Sequence, residues 1–443
     1  MNRQNIFRYL LSIANVLIKL CCIFNLPYFA ALIIKLSLRK STFISTKKLT
    51  NKTIIILEKS FGSDDLIEAY KKKSNIKFII LQRKFISTIY KHFLGNFSRN
   101  EIRETSYITK NSNIENRKIK YRLYLISILH YLKKFINFQG FLSFNLFYIS
   151  ERELQLACKE LNIKFIVCHK ESVCAKKLNS LRINMWRDSI GKCHATAVSV
   201  YNNYTKKSMI LSKLIKKNKI TVTGMPRADF FFQKLKYKKF KHKDYILFLM
   251  IEHYAQLPNP RNYSYPLNLK KNIKFFSWKK NAILTTKIIL EYAKTRPDLK
   301  FVFKTKPNTS IDEIEIFRKY DLKNCQLING GSSIELIKNS KYIIAFNTTG
   351  IFEGMIVNKK IIIPNFQNSK LEQSYMFKIN GKNVIYPKTK RQMLFYLNKL
   401  SEIENIKNNI KTKNRYIKYI KKHLCNTDGK SGQRLRNFIN NNI

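Results

Sequence analysis

The stretch KYIIAFNTTGIFEGMIVNKKIIIP, residues 341–364, decides the fold. Tyr342–Phe346 is a short apolar run rich in β-branched residues, which reads as a buried strand. Asn347, Thr348, Thr349 and Gly350 break the run, and Ile351–Asn358 carries the apolar spacing of a helix. Lys360–Ile363 is a second β-rich run, closed by Pro364. Strand, turn, helix and strand in this order form one parallel βαβ unit.

The same alternation extends outward in both directions. Upstream lie a strand Tyr245–Met250, a helix Lys280–Lys294, a strand Lys300–Lys304, a helix Ile311–Lys319, a strand Gln326–Ile328 and a helix Ser333–Asn339. The loop Leu257–Pro266, rich in Pro, Asn and Tyr, interrupts regular structure. The first half begins with strand Thr53–Leu57, helix Asp64–Lys72 and strand Ile76–Leu81. It resumes after the polar excursion Ser98–Arg117 with helical stretches Lys118–Phe138 and Ser150–Leu161. Strands Lys164–Cys168, Ala197–Tyr201 and Ile220–Thr223 complete it, with a helix Tyr204–Ile215 before the last. The sequence therefore predicts an α/β protein with two Rossmann-like domains, 51–230 and 244–410, facing a central cleft. Helical extensions, 1–50 and 411–443, flank them.

The 443 residues carry a formal charge of +57, from 84 Lys and Arg against 27 Asp and Glu. Lysine is spread over nearly every segment, and neither zinc-finger spacing nor an aromatic RNA-binding signature is present. That distribution argues against nucleic acid and for a general attraction to phosphorylated ligands and anionic lipid. The eight cysteines show no CxxC pair. Cys168, Cys174 and Cys193, with His169 and His194, lack the close spacing of a zinc site, so no metal is expected.

At the amino terminus, Ile6–Phe24 is apolar except for a stripe of Asn5, Arg8, Ser12, Asn15 and Lys19, and a second apolar run, Tyr28–Ile34, follows Pro27. Neither run is long enough to span a bilayer. Two readings stay open: an in-plane amphipathic anchor, or a helical hairpin packed on the protein's own core. Both keep the bulk of the chain cytoplasmic.

Ligands of parallel sheets sit beyond the carboxyl ends of strands, and three segments fall there. In Asn347–Gly350, hydroxyls and a glycine at a helix start suit a diphosphate, and Glu353 one turn on suits ribose hydroxyls; plain helix capping is the competing account. In Thr223–Asp229, Gly224 and Pro226 shape a turn whose Arg227 and Asp229 either pair with each other or face an anionic ligand. In Cys168–Glu171, His169 and Glu171 are candidate bases for an acceptor hydroxyl. Lys304 and Lys306 are placed to neutralise phosphate, and Glu252 and His253 follow the strand that opens the second domain. Ser60–Ser63, after the opening strand, is a weaker loop. Gly429-Lys430-Ser431 is no phosphate loop, because Leu424 stands where the first glycine belongs.

The segment Ile220–Phe230, ITVTGMPRADF, resembles the "VTGxPRxD" segment of surface-carbohydrate biosynthesis proteins and of CDP-glycerol glycerophosphotransferases, both of GT-B architecture. Residues 347–364 are similar to their donor-site segment, Asp428–Arg434 to their closing "DGxxxxR", and Tyr245–Pro258 to the strand and loop opening their second domain. The match spans roughly residues 160–440, and Lys306-Pro307 departs from the family's His-Pro dipeptide. The resemblance implies a GT-B fold, with a CDP-, UDP-, GDP- or CMP-linked donor held mainly by the second domain. Its carbohydrate or lipid-linked acceptor is held by the first, and no cofactor is required. In that scheme Thr348, Thr349 and Gly350 cradle the diphosphate, Glu353 binds ribose, and Gly224, Arg227, Asp229, His253, Lys304 and Lys306 complete the donor site. The expected function is a glycosyltransferase-like transfer of a sugar or polyol-phosphate to a surface-polysaccharide precursor, peripheral at the inner face of the cell membrane. Nucleotide-sugar epimerisation on the same fold, or a non-catalytic basic membrane- or nucleic-acid-binding protein, are the alternatives.

Overall fold

The structure is a computed structural model and describes residues 3–41, 44–46, 52–58, 63–71, 73–95, 102, 107–170, 172–235, 245–250, 278–305, 311–366, 373, 375–402 and 410–443. The chain divides into two compact units: residues 1–172, 182–229 and 430–443 form one, and 173–181 with 230–429 the other.

The first unit is built on a seven-stranded sheet. Its strands are β1 (Arg39–Lys40), β3 (Thr53–Glu58), β5 (Lys77–Gln82), β6 (Gly140–Ser143), β7 (Lys164–His169), β8 (Ala197–Val200) and β9 (Ile220–Val222), in the order β1-β5-β3-β6-β7-β8-β9. All neighbours are parallel except the edge pair β1 and β5. Two further short strands, β2 (Ser45–Thr46) and β4 (Lys73–Ser74), pair separately.

A parallel sheet covered on both faces needs strands that are apolar on both. Ile54, Ile55, Ile56 and Leu57 of β3 meet that need, all being buried. Ile55 and Leu57 face a cluster that includes α1 (Arg3–Ile23), α2 (Pro27–Ser37), α4 (Arg83–Leu94), α5 (Ser112–Phe135) and α6 (Arg152–Glu160). Ile54 and Ile56 face Leu66, Ala69 and Tyr70 of α3 (Ser63–Tyr70), together with Leu435, Phe438 and Ile439 of the last helix, Ser431–Asn441. Burying those three side chains contributes about 1.5–3 kcal/mol each.

The tail thus divides. The helix Ile410–Leu424 belongs to the second unit and Ser431–Asn441 to the first, where the sequence suggested one terminal pair. The amino-terminal helices pack into the first unit's core, one of the two readings the sequence left open.

The second unit carries six parallel strands: β10 (Tyr245–Leu249), β11 (Lys300–Thr305), β12 (Cys325–Asn329), β13 (Tyr342–Ala345), β14 (Lys360–Ile362) and β15 (Val384–Ile385). Their order is β12-β11-β10-β13-β14-β15. This is the doubly wound arrangement, in which β11 and β12 lie to one side of β10 and β13, β14 and β15 to the other. The predicted α/β class, with two parallel-sheet domains, is what the chain adopts. Elements new relative to the sequence reading include β6, α4, β15 and the helix Lys176–Met185. Helix α5 starts at Ser112, inside the expected polar excursion, because the Asn111 side chain caps it by accepting from the Asn113 and Ile114 N–H groups.

Candidate functional site at the strand ends of the second sheet

Strand order reverses between β10 and β13, so these two strands end side by side, at Leu249 and Ala345. Such a reversal opens a crevice outside the carboxyl ends of the strands, the usual ligand position in open α/β sheets. The loop Asn347–Gly350 starts there. Asn347 is buried and ties the loop down: its side-chain amide donates to the Tyr375 carbonyl (2.9 Å) and its oxygen accepts from the Phe377 N–H (2.9 Å).

The helix Gly350–Ile356 then begins over the last residue of β10. A side chain at position 350 would run into Leu249 Cδ1, so glycine allows the helix start to lie against the strand end. The Thr348 carbonyl accepts from Ile351 N–H (3.2 Å), and that of Thr349 from Phe352 (3.0 Å) and Glu353 (3.1 Å). Among the described residues the Thr349 N–H has no acceptor, and that of Gly350 has only the Thr348 hydroxyl at 3.4 Å. Thr348 and Thr349 are half-buried, whereas Glu353 is only 2% exposed. The competing capping role is not taken up at Thr349, whose side chain makes no cap bond.

Lys304 lies across the ladder from Leu249 and is buried, with its ammonium donating to the Thr305 carbonyl (3.0 Å). Burial pushes its pKa below that of an ordinary lysine. Lys306, Glu252 and His253 lie outside the described residues, as does Pro307.

Behind the Gly350 helix, His423 stacks on Phe352 (4.5 Å between ring centres, 28° between planes) and meets Phe377 edge-on at 5.4 Å. Burial among these rings lowers its pKa from 6.5 to about 4. The folded state therefore holds it neutral. Below its ordinary value an unfolded His423 takes up a proton that the folded one refuses, so stability is full above pH about 6.5 and falls as pH drops toward about 4. The loss is at most about 1.4 kcal/mol per pH unit. His423→Phe is expected to flatten this dependence, read from urea midpoints at about pH 7 and about pH 4.5; an equally steep dependence in the variant removes the role from His423.

The other two segments lie in the first unit. His169 ends β7, is buried, and meets Phe147 edge-on at 5.3 Å; its carbonyl accepts from the Ser172 hydroxyl (3.0 Å). Glu171 lies outside the described residues, as do Ser60, Phe61 and Gly62. Gly224 takes the left-handed conformation (φ +77°) after β9. Arg227 Nη1 donates to the Tyr201 hydroxyl (2.9 Å) and sits 3.6 Å from Asp65, whose other oxygen accepts from the Arg227 N–H (3.1 Å). Asp229 is buried and accepts from the N–H groups of Ser431 (3.0 Å) and Gly432 (2.7 Å), while Arg434 Nε donates to the Thr223 carbonyl (2.9 Å). The two segments 223–229 and 431–434 thus clasp each other. Tyr201, Asp65 and the start of the helix Ser431–Asn441 are partners of Arg227 and Asp229.

A second buried ionic knot escaped the sequence reading. Glu151, fully buried after β6, accepts from Arg83 Nε (2.9 Å) and the Ser143 hydroxyl (2.5 Å), and the Arg83 guanidinium lies 3.5 Å over the Tyr148 ring. Its neighbour Glu153 holds Arg122 (2.7 Å) and the Tyr107 hydroxyl (2.5 Å). The signal was present as three consecutive charges, Glu151-Arg152-Glu153, entering a helix from an apolar run. Among the described residues no group of three or more His, Cys, Asp or Glu is placed to hold a metal ion.

No family model and no curated protein matches the chain. Among solved structures it is similar to the UDP-GlcNAc 2-epimerase of Methanocaldococcus jannaschii in complex with UDP-GlcNAc and UDP. That match has 16% identity over 88% of this chain and 99% of the other, with a TM-score of 0.45. It is also similar to the wall teichoic acid polymerase TagF (12% identity, 100% of this chain and 98% of that one, TM-score 0.47). A third likeness is to a UDP-forming trehalose-phosphate synthase of Burkholderia xenovorans (8% identity, 89% and 97%, TM-score 0.43). Likeness at this level assigns neither a family nor an activity.

Proposed function

We propose that the protein is a transferase that moves a sugar or polyol-phosphate from a nucleotide-activated donor to a hydroxyl of a surface-polysaccharide precursor, at the inner face of the cell membrane. The observation that carries this reading is the strand-order reversal between β10 and β13, with the Asn347–Gly350 loop standing at it. The Thr349 N–H, without an acceptor among the described residues, and the two half-buried threonines beside it support a phosphate-binding reading of this loop. Glu353 is assigned to the ribose, and Lys304 and Lys306 to the charge that grows on the departing nucleotide.

The acceptor is assigned to the first unit, with His169 and Glu171 as the groups that take the hydroxyl proton. As the acceptor oxygen bonds to the transferred carbon or phosphorus, the bond to the nucleotide's phosphate oxygen breaks and the nucleotide leaves with both electrons. Arg227 and Asp229 enter as positioning residues, a role supported by the partners they hold, and Gly224 as the turn that carries them. His253 is retained as a donor contact on the segment following β10.

A thermal-shift panel with CDP-, UDP-, GDP- and CMP-linked donors tests the reading, because a ligand bound only by the folded state raises Tm. At a hundred-fold excess over Kd the gain is about 2.7 kcal/mol. One nucleotide class is expected to stabilise the protein, and to be released as free nucleotide only when an acceptor hydroxyl is supplied. Four flat responses from a folded protein defeat the proposal.

A further inference from the structure

The amino-terminal helices α1 and α2 form a hairpin with two unlike faces. One face of α1 and α2 is core: Ile18, Cys22, Ala30, Ala31 and Ile34 are buried in the first unit, and the Asn15 side chain accepts from the Thr88 hydroxyl of α4 at 3.1 Å. The opposite face of α1 is apolar and open. Tyr9, Ile13, Val16, Leu20 and Phe24 recur at steps of three and four and are all exposed, Val16 by 57% and Phe24 by 67%. Among the described residues no helix is long and apolar enough to cross a membrane, so this face is not part of a span.

The helices packed with α1 add aromatic and basic side chains. Tyr28, at the start of α2, packs edge-on against Phe29 (5.4 Å), Tyr131 (5.3 Å) and Phe135 (5.6 Å), the last two from the end of α5. Lys35 lies over the Phe135 ring at 5.4 Å and Lys134 over Tyr131 at 5.8 Å, with Lys133 beside it and Lys19 exposed on α1 itself. An apolar stripe edged by tyrosines and lysines matches the layering of a bilayer surface: acyl chains, then the interfacial zone where aromatic rings sit, then anionic headgroups. A second copy of the same face is disfavoured, because a two-fold contact sets like against like and would bring the lysine rims together.

We infer that the exposed face of α1, extended by the aromatic and lysine cluster of α2 and α5, docks the folded protein flat on an anionic bilayer. This deepens the inner-membrane location contained in the proposed function, and its test uses no donor or acceptor, so the two can fail separately. Docking of this kind requires no rearrangement of the hairpin, since the buried face stays buried.

The experiment is co-sedimentation of the full chain with phosphatidylcholine vesicles, with and without phosphatidylglycerol, at low and high salt. Binding is expected to depend on phosphatidylglycerol and to weaken with salt. The variant Val16→Asp/Leu20→Asp/Phe24→Asp, whose side chains are exposed and whose melting should be unchanged, is expected to lose at least about ten-fold in partitioning. Lys133→Glu/Lys134→Glu is expected to lose most of the phosphatidylglycerol dependence. Wild-type-like binding by the triple aspartate variant overturns the inference. So does a monomeric wild type that ignores vesicles, or a dimer that the same triple variant splits.

Discussion

Asp229→Ala is expected to lower the unfolding free energy of the first unit by about 2–4 kcal/mol. The buried carboxylate accepts two charge-assisted bonds from the Ser431 and Gly432 N–H groups, at the start of a helix whose Leu435, Phe438 and Ile439 complete one face of the sheet. Alanine leaves two helix-start donors without their acceptor and removes the negative charge from the positive end of the helix dipole. Asp229→Asn keeps one acceptor oxygen and should recover part of the loss. Urea unfolding is the check, with far-UV circular dichroism and a first-unit fluorescence probe. A change below about 0.5 kcal/mol in the alanine variant shows that the clasp is dispensable. The variant also separates roles: its folded fraction should bind a nucleotide donor with unchanged affinity.

The second large effect belongs to the other unit. Glu353→Ala is expected to weaken donor binding by about ten- to hundred-fold, the cost of one or two hydrogen bonds to a charged acceptor. Glu353 is only 2% exposed on the first turn of the Gly350 helix, so Glu353→Gln, which preserves shape, is the needed companion. Calorimetric titration of both variants, with melting temperature as the control, reads the result. Unchanged affinity in a folded alanine variant takes the ribose role away from Glu353.

The architecture was readable where local chemistry and topology agree. In residues 341–364, β-branched runs, a Thr-Gly break and a closing proline each act within a few residues, and the strand, helix and strand appear there with ends shifted by one or two positions. Two omissions have a common cause. The strand β6 is four residues inside the aromatic stretch Phe138–Tyr148, where period and turn signals vanish, and α4 is rich in the β-branched and aromatic residues that favour strands.

The site was harder to read because its determinants are long-range. Nothing near Asp229 announces a partner 202 or 203 positions away, nor does Glu151 announce Arg83. Strand order is equally invisible locally: β10 and β13 become neighbours only through pairing, and that pairing makes Asn347–Gly350 a candidate site rather than a well-capped turn.

Amide hydrogen exchange read by mass spectrometry, with and without a saturating nucleotide donor, tests the central claim most directly. The account predicts slowed exchange in peptides spanning 346–352, where the Thr349 and Gly350 N–H groups would acquire a phosphate acceptor, and little change across 223–229. Protection confined to the first unit, with 346–352 exchanging at its ligand-free rate, would contradict it.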